Sequence, residues 1–265
     1  MATSIWNNIV LVRKTSPLVH NVTNYVVMNN TANALLAVGA SPIMAHAHQE
    51  IDEMVGLCEA MVINIGTLDE YWVQSMLTTA EKANALKKPF VLDPVGAGAT
   101  HYRDRTLAKL IALRPTVIRA NASEILALAK FNATKTKGVD STAQSTEAIE
   151  AAKVLNQTFG ATICISGETD IIISKGQQVR VKNGNSLMTK VTGLGCSATA
   201  IIGAFIAVIE DRTAAVTAAT ALMGVCGEIA AKSAKGPGSL QMLLLDKLYN
   251  ITEEEFMHHI QLEKI

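Results

Sequence analysis

The part of the sequence most suited to chemistry is a glycine-rich turn at residues 193–195, which leads into a predicted helix at residues 196–209. Glycines let backbone N–H groups approach a ligand closely, and a helix N-terminus adds unpaired donors and partial positive charge. We therefore predict an anion hole in which Gly193 and Gly195 stabilise a phosphoryl group during transfer. A thiol at a helix N-terminus tends to have a lowered pKa, so Cys196 is a candidate base for an attacking alcohol. The alternative is a tight turn before a buried helix, with Cys196 as an apolar filler.

Polar side chains also follow three apolar runs that are predicted to be strands. Asp93 follows one run and is a candidate magnesium ligand, with Glu124 as a second. Arg119 ends a further run and is a candidate phosphate partner, with Asn121 as a further candidate for a nucleotide site. Ser166 ends another run and could touch a nucleotide, although a turn into the following hairpin is an equal alternative. Asn121 and Glu124 also fit a helix capping box, which is the structural alternative. In a parallel sheet these strand ends would lie along one edge, as phosphoryl transfer requires.

A small-ligand pocket is predicted near the start of the chain. Asn24 precedes Val27, and Met44 ends a short apolar run. An amide beside two apolar side chains would suit a small heteroaromatic ligand, although core packing is the commoner role of valine and methionine. The six histidines show no metal-binding pattern, and His46 and His48 are predicted to lie on the surface.

The elements that must position these residues alternate between strands and helices. The predicted strands are residues 41–45, 61–65, 90–92, 117–119 and 161–165. The predicted helices between and around them are residues 23–38, 69–86, 106–113, 122–129 and 146–158. This alternation predicts an α/β fold with a mostly parallel central sheet and helices on both faces. Residues 170–174 and 177–181 predict an antiparallel hairpin, and helices follow at 196–209, 213–231 and from Ser239.

Composition narrows the class of protein. Hydrophobic residues make up 49% of the 265-residue chain and charged residues 17%, which is typical of one large core, so residues 1–265 are predicted to form one domain. Lys+Arg and Asp+Glu both number 23, so no net charge attracts nucleic acid. Four cysteines without paired spacing, no secretory signal and an apolar stretch at 198–209 too short to cross a bilayer predict a cytoplasmic protein without a membrane partner.

Short motifs spread over residues 16–239 together resemble the hydroxyethylthiazole kinase family. They are SPLVH at 16–20, TN at 23–24, TAN at 31–33, GASPIM at 39–44, DPVGAG at 93–98, RANASE at 119–124, LMTKVTG at 187–193 and GPGS at 236–239. The motifs cover nearly the whole chain, so the combined pattern is specific.

The resemblance implies a ribokinase-like three-layer sandwich and a homotrimer with active sites between subunits. It implies ATP- and Mg²⁺-dependent phosphorylation of the primary alcohol of 5-(2-hydroxyethyl)-4-methylthiazole, in thiamine biosynthesis or salvage. The residues that it assigns fall into four groups: Met44, Gly193, Asn24 and Val27 at the thiazole, Arg119 and Ser166 at ATP, Asp93 and Glu124 at magnesium, and Cys196 where related sugar kinases place an aspartate base.

Two positions depart from the family pattern. The family loop usually has Gly-Thr-Gly-Cys, whereas Leu194 replaces the threonine here, and Ser166 stands where threonine is usual. The first change keeps a backbone anion hole but removes a hydroxyl, so the rate of phosphoryl transfer is expected to fall. Two alternatives stay open: a kinase for another vitamin precursor, such as hydroxymethylpyrimidine or pyridoxal, and a catalytically silent trimeric thiazole-binding protein in which the change to Leu194 has stopped turnover.

Overall fold

The structure, a computed structural model, describes residues 2–132 and 144–265. Its strands are β1 (Leu18–Val22), β2 (Ser41–Ile43), β3 (Ala60–Asn64), β4 (Phe90–Asp93), β5 (Val117–Asn121), β6 (Thr162–Ser166), β7 (Asp170–Ser174), β8 (Gln177–Val181) and β9 (Leu262–Lys264). Its helices are α1 (Ala2–Thr15), α2 (Met28–Ala37), α3 (Ile51–Leu57), α4 (Glu70–Ala85), α5 (His101–Ala112), α6 (Ala122–Asn132), α7 (Gln144–Phe159), α8 (Leu194–Val208), α9 (Arg212–Ser233), α10 (Pro237–Asn250) and α11 (Glu253–His259), with a short 3₁₀ helix at Ser186–Lys190.

The strands form one sheet in the order β2-β1-β3-β4-β5-β6-β7-β8-β9. Neighbouring strands from β2 to β6 are parallel, whereas β7, β8 and β9 add on in antiparallel fashion. The predicted hairpin is confirmed, and its two-residue turn has positive φ at both Lys175 and Gly176, as a type I′ turn requires. The mostly parallel sheet of the sequence prediction is therefore correct.

Helices cover both faces of the sheet and enclose two apolar cores. One core joins α1, α2, α8, α9 and α10 to one face. The other joins helices α3 to α7 to the opposite face. The strands between the cores are almost entirely buried, as expected for a parallel sheet covered on both sides. The three-layer sandwich is thus confirmed.

Helix α9 is the one helix among the described residues that is long and apolar enough to cross a membrane. In this structure 78% of its most apolar window is buried, and α9 packs against α8, α10 and the sheet. An apolar helix that is buried all round is typical of a protein core, so its composition alone does not indicate a membrane span.

The predicted elements differ from the structure mainly in the first 60 residues. The predicted helix at 23–38 begins only at Met28, because β1 occupies Leu18–Val22 and a loop follows it. Strand β1 escaped prediction because it contains two buried polar residues, His20 and Asn21. Each is paired in part, since His20 Nε2 bonds the Ala45 carbonyl at 2.8 Å and Asn21 Nδ2 donates to the Val19 carbonyl at 2.9 Å, whereas His20 Nδ1 and Asn21 Oδ1 are buried without a partner among the described residues. Helices α1 and α3 were also missed, and α5 begins five residues earlier than predicted.

His46 is half-buried rather than a surface residue, which corrects the prediction. Its ring stacks on Trp72 with 4.2 Å between the ring centroids. Burial, with a smaller contribution from His20, lowers the pKa of His46 to about 4. His48 is exposed, as predicted.

His46 should make the stability of the protein depend on pH. Because its pKa is lower in the folded state than the value of about 6.5 in the unfolded chain, the unfolded state binds more protons below that pH. Stability should therefore be full above pH 6.5 and decline as the pH falls towards 4. Between pH 7 and pH 5, we expect the free energy of unfolding, measured with urea, to fall by roughly 1–2 kcal/mol less in His46→Phe than in the parent protein. Equal losses in both proteins would contradict this assignment.

Candidate active site

A cleft of about 420 Å³ opens at the carboxyl ends of the parallel strands. It is lined by Asn24, Val26, Val27, Gly66, Thr67, Asp93, Val95, Arg119, Asn121, Glu124, Ser166, Thr192, Gly193, Gly195 and Cys196. Every site residue predicted from the sequence lines this cleft except Met44. The structure therefore brings the candidate phosphate, metal and alcohol-binding residues together in one place.

The register of the sheet explains why these residues meet. Asn64 at the end of β3 lies beside Asp93 at the end of β4. Asn121 at the end of β5 lies beside Ser166 at the end of β6. Because the strands are parallel, their carboxyl ends share one edge, where ligands bind in open α/β sheets.

The glycine-rich turn lies where the sequence placed it. Gly193 precedes α8 in the left-handed conformation, with φ of +80°, and the helix begins at Leu194, two residues before the predicted start. A Cβ added to Gly193 would lie 2.7 Å from Cγ1 of Val27. The turn therefore requires glycine both for its backbone angle and for the close approach of Val27. Gly193, Gly195 and Cys196 line the cleft at the start of α8, where the first N–H groups of a helix have no partner within the helix.

Cys196 lies in the first turn of α8, but the predicted fall in its pKa is wrong. Burial raises the pKa of the thiol to about 11, and the nearby Asp93 carboxylate adds to the rise. Hydrogen bonds from Asn64 and Asn24 and the charge of Arg119 lower the pKa by less. The thiol is therefore protonated near neutral pH, and Cys196 cannot serve as a preformed thiolate.

Asp93 is the most buried carboxylate of the cleft. Its Oδ2 accepts hydrogen bonds from Asn64 Nδ2 and Thr199 Oγ1, both at 2.8 Å. Burial raises the pKa of Asp93 to about 6, and the charge of Arg119 opposes the rise. No described residue donates to Oδ1, and this oxygen is free to bind a ligand in the cleft.

Glu124 and Asn121 form the capping box expected at the start of α6. The Asn121 side chain accepts from the Glu124 N–H, and the Glu124 carboxylate accepts from the Asn121 N–H, both at 2.9 Å. The other Glu124 oxygen accepts from the N–H of Gly96 at 2.8 Å, so both carboxylate oxygens are already engaged. Glu124 thus ties the loop after β4 to α6 and has fewer free lone pairs than Asp93.

The carboxylates fit a magnesium ion that is shared with a nucleotide. Among residues 2–132 and 144–265 no group of three or more His, Cys, Asp or Glu side chains could hold a metal ion by itself. Magnesium commonly uses one or two carboxylates together with water and substrate phosphates. Asp93 Oδ1 provides such an oxygen, with Glu124 near it across the cleft.

Three residues that hold the cleft together were not found from the sequence. Asn64 and Thr199 bind Asp93, and Arg103 of α5 donates to the carbonyls of Val95 at 2.8 Å and Gly66 at 2.8 Å. Asn64 had a visible signal, because it is the polar residue of an otherwise apolar strand. Thr199 and Arg103 had none, since threonine and arginine are common in helices.

Leu194, the departure from the family loop, does not face the cleft. Its side chain is buried and lies beside Ala34 of α2 and Leu244 and Leu248 of α10. Asn30, Ser197 and Gln241 line the same small cavity, so a hydroxyl group on this side chain would lie inside the protein, away from the cleft, beside polar as well as apolar groups. The structure removes the reason to expect a slower reaction from this substitution.

We expect Leu194→Thr to leave turnover unchanged and to lower stability by about 1–3 kcal/mol, because it removes buried apolar atoms and leaves a buried hydroxyl that must find a partner. Steady-state kinetics and urea unfolding check the two parts separately. Leu194→Met, which keeps an apolar side chain there, is the control. A clear gain of turnover in Leu194→Thr would show that the position acts on the reaction.

Met44 lies outside the cleft of its own chain. Strand β2 ends at Ile43, one residue before Met44, at the edge of the sheet. The side chain is partly exposed. The structure of a single chain therefore does not bring Met44 together with the other predicted thiazole-binding residues.

The sequence and the fold both match known proteins. The model of the hydroxyethylthiazole kinase family matches residues 9–254. Proteins named hydroxyethylthiazole kinase from Syntrophus aciditrophicus and Leptospira biflexa are 52% and 54% identical, over 97% and 92% of this chain and 96% and 91% of their own. The solved structure of the hydroxyethylthiazole kinase protein from Pyrococcus horikoshii OT3 superposes with a TM-score of 0.91 at 42% identity, covering 98% of both chains.

More distant structures share the fold alone. A ribokinase-like superfamily protein from Enterococcus faecalis is 13% identical with a TM-score of 0.65, covering 89% of this chain and 88% of its own. The pyridoxal kinase from Staphylococcus aureus in complex with AMP-PCP is 15% identical, also with a TM-score of 0.65, over 94% of this chain and 98% of its own. The ribokinase-like fold is thus confirmed, and the chain belongs to the hydroxyethylthiazole kinase family.

Proposed function

We propose that this protein transfers the γ-phosphoryl group of ATP to the primary alcohol of 5-(2-hydroxyethyl)-4-methylthiazole, in thiamine biosynthesis or salvage. The observation that carries the proposal is the cleft itself. It places a carboxylate with a free oxygen, Asp93, beside Arg119 and the N–H groups at the start of α8. Relatives named for this reaction, which match more than nine-tenths of the chain, support the choice of substrate.

In this proposal the phosphate-binding residues lie on one side of the cleft. Arg119, Ser166 and Asn121 would bind the phosphates of ATP. Burial favours the neutral form of Arg119, but the neighbouring Cys164, Asp170 and Asp93 together raise its pKa, and the guanidinium stays charged. The N–H groups at residues 193–195 would stabilise the charge that develops on the transferring group.

The alcohol would lie on the other side, near Asn24 and Val27. Asn24 Nδ2 lies 3.7 Å from Cys196 Sγ, so the thiol adjoins the pocket. Because the transition state of phosphoryl transfer is loose, the alcohol proton leaves late and a weak acceptor is sufficient. The protonated thiol of Cys196 cannot accept a second proton, so it would orient the hydroxyl by a hydrogen bond, while the alcohol proton would pass to an oxygen of the transferred phosphoryl group as the new bond to phosphorus forms.

Magnesium would be held by Asp93 and, through water, by Glu124. When bound, it neutralises charge on the phosphate oxygens. The ion is a proposal that rests on the free Oδ1 of Asp93 and on the carboxylates that line the cleft.

We also propose a cytoplasmic homotrimer, with residues 1–265 of each subunit as one kinase domain. Val26 lines the cleft yet is 61% exposed, and Tyr25 beside it is 57% exposed. Apolar side chains at the rim of a cleft are suited to contact with another subunit. Because Met44 lies outside its own cleft, the proposal assigns it to the thiazole in the neighbouring subunit's site. Light scattering at micromolar concentration would test the trimer, and a monomer would exclude this role of Met44.

Cys196→Ala should lower turnover by about 10-fold and change the Kd of the thiazole alcohol much less, because the protonated thiol would orient the attacking hydroxyl and contribute little to holding the ring. Turnover is measured by ADP release and binding by calorimetry. Cys58→Ala, which removes a buried thiol outside the cleft, is the control. Unchanged turnover in Cys196→Ala would leave Cys196 as a packing residue.

Substrate choice separates this proposal from a kinase for another vitamin precursor. Purified protein with ATP and Mg²⁺ is offered the thiazole alcohol, hydroxymethylpyrimidine, pyridoxal and ribose in parallel, and ADP release is recorded. We expect turnover on the thiazole alcohol to exceed that on each other compound. Preferred turnover on hydroxymethylpyrimidine or pyridoxal would keep the phosphate site but overturn the thiazole assignment.

A further inference from the structure

The Asp93 carboxylate is held from two sides by residues outside the predicted site. Asn64 Nδ2 and Thr199 Oγ1 both donate to Oδ2, each at 2.8 Å. Both donors are buried, with 1% and 0% of their surface exposed. Since Oδ2 is taken by two donors and Oδ1 by none of the described residues, the two oxygens have different roles.

The direction of the Asn64 amide is fixed by the backbone. Its Oδ1 accepts from the N–H of Gly66 at 2.9 Å, and a backbone N–H can only donate. The same Oδ1 accepts from Asn24 Nδ2 at 2.7 Å. Asn24 is fixed likewise, because its own Oδ1 accepts from the N–H of Val26 at 3.1 Å. The hydrogen bonds therefore run in one direction, from Asn24 through Asn64 to Asp93.

Thr199 has one hydroxyl proton and two acceptors within reach. The Asp93 carboxylate lies at 2.8 Å, and the Gly195 carbonyl, one turn earlier in α8, lies at 3.2 Å. A threonine in a helix ordinarily donates to that earlier carbonyl. Here the shorter distance and the charge of the carboxylate favour Asp93 as the acceptor. The Thr199 hydroxyl thereby ties helix α8 to the end of β4.

We propose that Asn64 and Thr199 are positioning residues that hold Asp93 with Oδ1 directed into the cleft as a metal ligand, and that Asn64 links this ligand to Asn24 in the alcohol pocket. The inference rests on the proposed function, since it assigns the pocket and the metal to the same reaction. Hydrogen bonds to a metal-binding carboxylate orient it, and their loss typically weakens metal binding by 10- to 100-fold. The link would place the alcohol and the metal-bound phosphate in a fixed relation.

Thr199→Val tests the first part, because it keeps the shape of the side chain and removes the donor. The probe is Mn²⁺ binding in the presence of ADP, followed by electron paramagnetic resonance. We expect the Kd of Mn²⁺ to rise about 10-fold in Thr199→Val and to return to near the parent value in Thr199→Ser. Thr79→Val, which removes a buried hydroxyl of α4 that has no partner among the described residues, should bind Mn²⁺ as the parent does.

Asn64→Leu tests the link. The change removes the donor to Asp93 and the acceptor of Asn24. We therefore expect the Kd of Mn²⁺ and the Kd of the thiazole alcohol both to rise in Asn64→Leu. In Thr199→Val only the Kd of Mn²⁺ should rise. Both constants come from binding measurements, so a failure of the proposed reaction would not hide the result. Parent-like Mn²⁺ binding in Thr199→Val, or an equal defect in Thr79→Val, would overturn the proposal. Should Thr199→Val fail to fold, Thr199→Ala replaces it with the same expected outcome.

Discussion

Asp93→Asn is expected to lower magnesium-dependent turnover by roughly 10²–10³-fold while leaving the fold intact. The asparagine can keep its carbonyl oxygen toward Asn64 and Thr199, because both of these residues donate. Its amide nitrogen would then occupy the place of Oδ1 and present hydrogens to the cleft. An amide nitrogen cannot bind Mg²⁺, so the variant should lose the metal ligand with little change in packing.

Turnover is measured over a range of Mg²⁺ concentrations, with the free energy of unfolding measured alongside. Asp93→Ala should lose at least as much turnover, since it also leaves two buried donors without an acceptor. Asp211→Asn is the matched control, because Asp211 also accepts two hydrogen bonds but caps α9 at the far end of α8. Parent-like activity in Asp93→Asn at low Mg²⁺ would remove Asp93 from the metal site.

Gly193→Ala is the second change with a large expected effect. The new Cβ would lie 2.7 Å from Val27 Cγ1, in a residue whose φ of +80° already disfavours a side chain. We expect the strain to cost about 1–2 kcal/mol and the turn to shift. Because that turn would carry the N–H groups for the phosphoryl group, turnover should fall by about 10²-fold.

Gly160→Ala separates the backbone strain from the contact with Val27. Gly160 has a similar φ of +74°, but a Cβ there meets nothing within 4 Å. It follows α7, outside the cleft. Gly160→Ala should therefore lose stability of about 1–2 kcal/mol without losing turnover. If Gly193→Ala kept full turnover despite its loss of stability, residues 193–195 would not be the anion hole.

The polar residues at the carboxyl ends of the strands were predicted correctly, because the sequence patterns that mark them are local. Polar residues at the ends of apolar runs, such as Asp93 and Ser166, needed only the assumption of parallel strands to be placed together. The capping box of Asn121 and Glu124 was likewise a four-residue pattern. Each of these predictions depended on neighbours in the sequence.

What the sequence missed depends on contacts between distant parts of the chain. Thr199 is 106 positions from Asp93, and no local pattern marks it as a partner. The pKa of Cys196 was predicted to fall from its place at a helix start, but burial outweighs that effect. The direction of the Leu194 side chain depends on the residue at which α8 begins. The sequence predicted a start at residue 196, which is two residues later than the observed start at Leu194.

The reaction itself is tested most directly by its products. Purified protein is mixed with ATP, Mg²⁺ and 5-(2-hydroxyethyl)-4-methylthiazole, and both ADP and the phosphate ester of the alcohol are quantified by phosphorus NMR. We predict equal amounts of ADP and ester, and neither product in the absence of the alcohol. ADP without ester would mean that water, not the alcohol, receives the phosphoryl group. Binding of the alcohol without either product would contradict the proposed activity and favour the silent binding protein.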